Sequence, residues 1–289
     1  MGLSVGVICG LISLFSWGVS DYLARVYSTR VGSIRTAFYV RFINLLPPLL
    51  VLPLQAYLGY LHGSTDWSVV WMIGPLVGAV LALGYVSYYR GLEIGTVSIV
   101  VAVSSAWFAV SVLLAFILFG EVLSTHEAII ICVVAIGIMM LSGLKTSNKG
   151  KPTGFAYGLA SMILGGIYIL LYKYLGEAAG PVMASFVGSL ASVTLLWIWI
   201  HHSGFTVRLP GREGLHIIIA AGILDVCGTL SIIVGLVRAP VFIVAPLAAA
   251  QPIVTILLAR IFLKERLSVV QFLGMVLCVT GVIVLSASS

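Results

Sequence analysis

Apolar runs of about twenty residues, each long enough to cross a bilayer's hydrocarbon core as a helix, fill this chain nearly end to end. Of its 289 residues, 61% are hydrophobic and only 8% are charged. An average soluble domain is about 45–50% apolar and about 25% charged. A mean hydropathy of +1.19 leaves too little polar surface to face water. That excludes a soluble globular protein, a disordered chain, a secreted disulfide scaffold and a soluble domain on a single anchor. An outer-membrane barrel is excluded as well, because its strands alternate over about ten residues around a polar lumen. These runs are continuous, so the expected fold is an all-α integral membrane protein, multi-pass in the cell membrane.

Cutting the runs at charges, prolines and Gly/Ser clusters predicts ten spans: 3–23, 35–58, 67–89, 95–119, 125–143, 153–175, 181–201, 214–236, 240–262 and 268–287. The longest polar connections run from Lys145 to Thr153 and from His201 to Glu213, too short for an extramembrane domain. The first run has no positive leader and no small-residue cleavage site before Arg25, and reads as a retained helix rather than a signal peptide. Connections after odd-numbered spans hold twelve Lys and Arg; those after even-numbered spans hold only Lys173 and Arg238. The positive-inside rule then puts the odd connections in the cytoplasm and both termini outside. The net charge of +6 orients helices; no basic patch with interleaved aromatics points to nucleic acid. Cys9, Cys132, Cys227 and Cys278 lie inside apolar runs with no CxxC pair and read as small buried hydrophobes.

The chain repeats itself. At an offset of 144, Gly84–Ser142 aligns without a gap on Gly228–Ser286, with 19 of 59 positions identical. The shared Glu-x-Leu-Ser of Glu121–Ser124 and Glu265–Ser268 is beyond what apolar composition explains. At an offset of 148, Gly6, Gly10 and Gly18 match Gly154, Gly158 and Gly166. Five helices occur twice, and an odd number turns the second copy upside down. The charges agree: Arg260, Lys264 and Arg266 follow span 9, where the mates after span 4 are Phe116, Gly120 and Val122. The expected organisation is a first five-helix repeat at 1–143, a basic cytoplasmic connector at 144–152 and an inverted second repeat at 153–289, in one integrated membrane domain. Inverted repeats build alternating-access transporters, with the substrate between the halves near the midplane.

Three stretches resemble EamA-type members of the drug/metabolite transporter superfamily: Phe15-Ser16-Trp17-Gly18-Val19-Ser20-Asp21-Tyr22; Gln251-Pro252 with Phe262-Leu263-Lys264-Glu265-Arg266-Leu267-Ser268, Gln271 and Gly274; and Phe119-Gly120-Glu121-Val122-Leu123-Ser124. The resemblance covers the whole chain and implies ten helices and movement of small organic solutes, often export of amino acids or related metabolites. The first half departs from the pattern at Phe108, where the second has Pro252.

Ionisable groups deep in a membrane usually face a cavity or a partner. Asp225, mid-way along span 8, is a lone carboxylate by sequence and the leading candidate to take up a proton for coupling or to bind a cation. Asp21 is a second coupling candidate, weighed against an i,i+4 pair with Arg25. Arg41 with Asn44 one turn on could hold a carboxylate or phosphate, weighed against snorkelling or pairing with Asp21. Trp17, Tyr85, Tyr88, Trp107, Tyr168 and Gln251 are the remaining substrate-binding candidates, since aromatics with polar tips suit flat or amphipathic solutes. Tyr172 shares a helix face with Tyr168. Trp107 and Gln251 occupy the same position of the two repeats. Glu121 and Glu265, each at a span end before a Ser, read as structural caps. No HExxH or phosphate loop occurs, so neither metal nor cofactor is expected. The function expected is secondary active transport of a small organic solute. The alternatives are a lipid-carrier or glycolipid flippase and, with no second deep carboxylate or nucleophile in sight, an intramembrane enzyme. Expected partners are the solute, protons and the bilayer, with a homodimer open as the assembly.

Overall fold

The computed structural model describes residues 2–31, 33–57, 65–94, 100, 103–141, 154–203, 211–262 and 268–287. The connector 144–152 and Glu265 lie outside them. Every regular element described is helical, as hydrocarbon requires when no water is at hand for backbone N–H and C=O groups. The order is α1 (Gly2–Val31), α2 (Ser33–Tyr57), α3 (Trp67–Ile94), α4 (Trp107–Phe119), α5 (Thr125–Leu141), α6 (Phe155–Ala179), α7 (Pro181–His202), α8 (Arg212–Arg238), α9 (Val241–Ala249), α10 (Pro252–Phe262) and α11 (Val269–Ala287). Seven stretches are long and apolar enough to cross a membrane, α9 and α10 counting as one; α4, α5 and α11 are shorter apolar helices. Among the described residues, the ten expected spans thus correspond to seven long apolar stretches and three shorter helices.

Two runs are broken at matching places. Before α4, Ala106 N–H donates to Val103 O at 3.2 Å and Ala109 N–H to Ala106 O at 3.0 Å. Between α9 and α10, Ala250 N–H donates to Leu247 O at 3.3 Å and Ile253 N–H to Ala250 O at 3.0 Å. These i to i+3 bonds tighten the chain into a short 3₁₀-like turn. An offset of 144 carries one set onto the other. Ala106 (φ −81°, ψ 12°) and Ala250 (φ −75°, ψ 4°) share a conformation. Pro252 follows the second break, but Phe108 occupies that place at the first, so a proline is not what breaks the run.

Small residues set which helices meet. Gly10 of α1 sits against Leu247 and Val244, where a Cβ would lie 2.8 Å from Leu247 Cβ. Gly158 of α6 sits against Val103 and Val100 in the same way, and Gly18 and Gly166 likewise face Val254 and Val110. Thus α1 packs on α9–α10 while α6 packs on the 100–111 stretch, contacts again related by offsets of 148 and 144. α1 also lies along α8, tied by Ser13 Oγ to Gly228 O (3.0 Å) and Ser20 Oγ to Ala221 O (2.8 Å). α5 and α11 form a pair of their own through Gly137 on Cys278 and Gly281 on Val134.

The shared Ser of Glu-x-Leu-Ser is a helix start. Ser124 and Glu127 form a reciprocal capping box on α5, with Ser124 N–H to Glu127 Oε2 at 2.8 Å and Glu127 N–H to Ser124 Oγ at 3.2 Å. Ser268 and Gln271 repeat it on α11 at 3.0 and 3.2 Å. Each box satisfies two otherwise orphaned donors. Glu121, read from the sequence as a structural cap, serves a helix distant in sequence. Both its oxygens accept Val241 N–H, at 3.0 and 2.8 Å, at the start of α9, and Lys173 Nζ of α6 pairs with it at 3.2 Å. Outside the spans, Asp66 opens α3 by accepting Ser68 N–H at 3.0 Å and the Ser68 hydroxyl. These bonds hold its carboxyl below the usual carboxylate range.

Candidate functional site

A cavity of about 60 Å³, partly open to the exterior, lies where the two broken runs face α1, α2, α3, α6 and α8. α1 contributes Trp17 and Asp21, one turn apart on one face; α2 contributes Arg41 and α3 Leu81 and Tyr85. α6 contributes Tyr168 and Tyr172, and α8 contributes Asp225 and Thr229. Trp107 and Gln251, at the two breaks, complete the wall. Breaking a helix here leaves these side chains room to turn inward, as non-helical backbone at membrane depth is tolerated where it lines a cavity.

Asp225 is not a lone carboxylate. Its Oδ2 lies 3.2 Å from Arg41 Nη1 and accepts from Asn44 Nδ2 at 2.5 Å. Arg41 and Asp225 are 5% and 6% exposed, so this is a buried ion pair and not a snorkelling arginine. Arg41 Nη2 also donates to Tyr85 Oη, and the guanidinium lies 4.4 Å from the centre of the Tyr85 ring. Arg41 Nε is buried with no hydrogen-bond partner. Asn44 is fully buried, and its Oδ1 accepts from Ser189 Oγ at 2.7 Å. It holds Asp225 from behind and is not among the residues lining the cavity. Tyr88 is not among the residues lining the cavity.

Asp21 is in a different state. It is exposed to the cavity, and its Oδ2 accepts from Gln251 Nε2 at 3.0 Å. No cation among the described side chains lies within salt-bridge distance of it; the Arg25 side chain is outside the described residues. The Gln251 Oε1 is buried and unpaired.

The aromatic walls are seated by glycines. Trp17 Nε1 donates to Asp225 O at 3.2 Å, and its ring fills the space where a Cβ on Gly228 would come within 2.5 Å of Trp17 Cδ1. Trp107 packs on Gly165, and the two indoles meet nearly edge-to-face, 6.5 Å apart at 78°. Tyr168 and Tyr172 meet the same way at 5.7 Å.

Of the candidates named from the sequence, Trp17, Asp21, Arg41, Tyr85, Trp107, Tyr168, Asp225 and Gln251 come together around this one volume. Leu81 and Thr229 line it without having been singled out. Leu81 carries no chemical signal. Thr229 sits one turn after Asp225, and its hydroxyl donates to Asp225 O at 2.9 Å; that spacing could have marked it.

The EamA-like transporter family model matches residues 4–143 and 152–287. Over 206 residues, 70% of this chain and 71% of the relative, the sequence is 24% identical to an uncharacterized transporter of Archaeoglobus fulgidus. A 71-residue stretch is 38% identical to an uncharacterized protein of Methanocaldococcus jannaschii. That stretch is 25% of this chain and spans about half (52%) of the relative. A solved crystal structure superposes with a TM-score of 0.80 over 96% of this chain and 95% of its own, at 17% identity, a likeness of fold. With the family matched along almost the whole sequence, and a polar cavity set among membrane-crossing helices, the chain belongs to the EamA-like transporter family and is a multi-pass membrane transporter.

Proposed function

We propose that the chain is a secondary active transporter that carries a small organic solute, an amino acid or related metabolite, by alternating access through this cavity. Two inverted five-helix halves, 1–143 and 153–289, supply the moving parts. The carrying observation is that Trp107 and Gln251, repeat-equivalent positions, stand at equivalent helix breaks and line the same volume. The glycine contacts that recur at the same two offsets favour this reading. Proton coupling fits Asp21 better than Asp225, because Arg41 already neutralises Asp225 while Asp21 faces open volume.

Proteoliposomes loaded with an amino-acid and amine mixture provide the test. The wild-type chain is expected to release solute, faster when a pH gradient is imposed. Trp107→Ala and Gln251→Ala are each expected to slow release about tenfold, the effect of losing roughly 1.4 kcal/mol of solute contact, at unchanged abundance in the membrane. Wild-type rates in both variants would remove this cavity from the transport path.

A further inference from the structure

We propose that the solute is an organic amine, a cation without a carboxylate, taken at Asp21 against the aromatic walls. The proposal rests on the transporter reading above and selects within its range of solutes. Among the described residues lining the cavity, the charged groups are two carboxylates and one guanidinium, a formal balance of one negative charge. The three are not equally available. Arg41 and Asp225 are buried and paired with one another; Arg41 also donates to Tyr85, and its Nε is buried. Among the described side chains, a solute carboxylate therefore meets only a cation already paired with Asp225. Among the described residues that line the cavity, Asp21 is the charged side chain that is exposed, and Gln251 engages its Oδ2, which leaves Oδ1 to accept from a solute N–H.

The walls favour the same sign. Trp17, Trp107 and Tyr168 line the volume. Aromatic faces attract cations, most strongly where water is excluded. This cluster already holds one, the Arg41 guanidinium over Tyr85. An amino acid would place its carboxylate in the same confined volume as Asp21, and a juxtaposed like charge selects against it.

Isothermal titration of the full chain in nanodiscs with phenethylamine, phenylalanine and 3-phenylpropionate separates the charge states on one skeleton. Butylamine and tetramethylammonium test the cation without the ring. Phenethylamine is expected to bind at least tenfold more tightly than phenylalanine, and 3-phenylpropionate not at all. Asp21→Asn should cost the amine tenfold or more and erase its advantage, while Asp21→Glu keeps it; melting of the ligand-free variants checks that they are folded. Should Asp21→Asn not fold, the wild-type ratio of amine to amino acid decides alone. Phenylalanine binding as tightly as phenethylamine, an amine advantage that survives in Asp21→Asn, or no binding of any of the three amines would each overturn the proposal. Phenylalanine flux without amine binding overturns this inference and leaves the transporter reading standing. Tight amine binding with no flux of any solute overturns the transporter reading alone.

Discussion

Arg41 and Asp225 hold opposite charges where neither would be stable singly. Two buried charges together are tolerable because each offsets the other and further hydrogen bonds, from Asn44 and to Tyr85, take up remaining valences. Deleting one leaves the other buried without compensation, which typically costs about 3–5 kcal/mol. Asp225→Asn is therefore expected to lower the melting temperature sharply in detergent, and Arg41→Gln added to Asp225→Asn to recover part of the loss. An Asp225→Asn protein that melts with the wild type would show that the pair contributes nothing to the fold. Asp21 should behave differently: it is exposed and has no buried cation to strand, so its replacement is expected to affect binding far more than stability.

At the scale of elements, the breaks at Ala106 and Ala250 matter because they put Trp107 and Gln251 on the cavity wall. Proline removes a backbone donor and clashes with the preceding turn, which makes Pro252 the obvious cause of the second break. The first break forms with Phe108 in that place, so such a break does not require a proline. Pro252→Ala is accordingly expected to keep solute release near wild type and to change stability by no more than about 1 kcal/mol. A loss of transport at normal abundance would return the role to the proline. Glu121 works at a junction of elements, joining the end of α4 to α6 through Lys173 and to the N-terminus of α9. A negative charge there satisfies an orphan donor and complements the helix dipole. Glu121→Gln keeps the shape and removes the charge, and should lower stability by about 1–2 kcal/mol. A double-mutant cycle with Lys173→Met would read the pair directly, and a coupling near zero would leave Glu121 a cap only.

At the scale of the molecule, orientation is expected to follow the lysines and arginines. A cysteine at Ser147 should be labelled by an impermeant maleimide only from the cytoplasm, and one at Ser289 only from outside; the opposite pattern would reverse the orientation without touching the repeat. Much of this protein was legible in one dimension. Run length and the scarcity of charge dictate membrane helices, since hydrocarbon leaves the backbone no other partner. Glu-x-Leu-Ser marks helix starts because capping is local, and the matching glycines mark close approach because a missing Cβ is a local property. Positions at matching points of the two repeats, such as Trp107 and Gln251, were legible too. The identity of each residue's partner was not. Asp225 reads as solitary until α2 brings Arg41 beside it, Asn44 reads as lining the site until α7 brings Ser189, and Glu121 reads as a structural cap without revealing that the helix it caps is α9. These helices are apolar nearly all round, so periodicity does not say which face turns inward. Only the packing of small residues against particular neighbours decides it, and among the described charges lining the cavity that packing buries Arg41 and Asp225 and leaves Asp21 exposed.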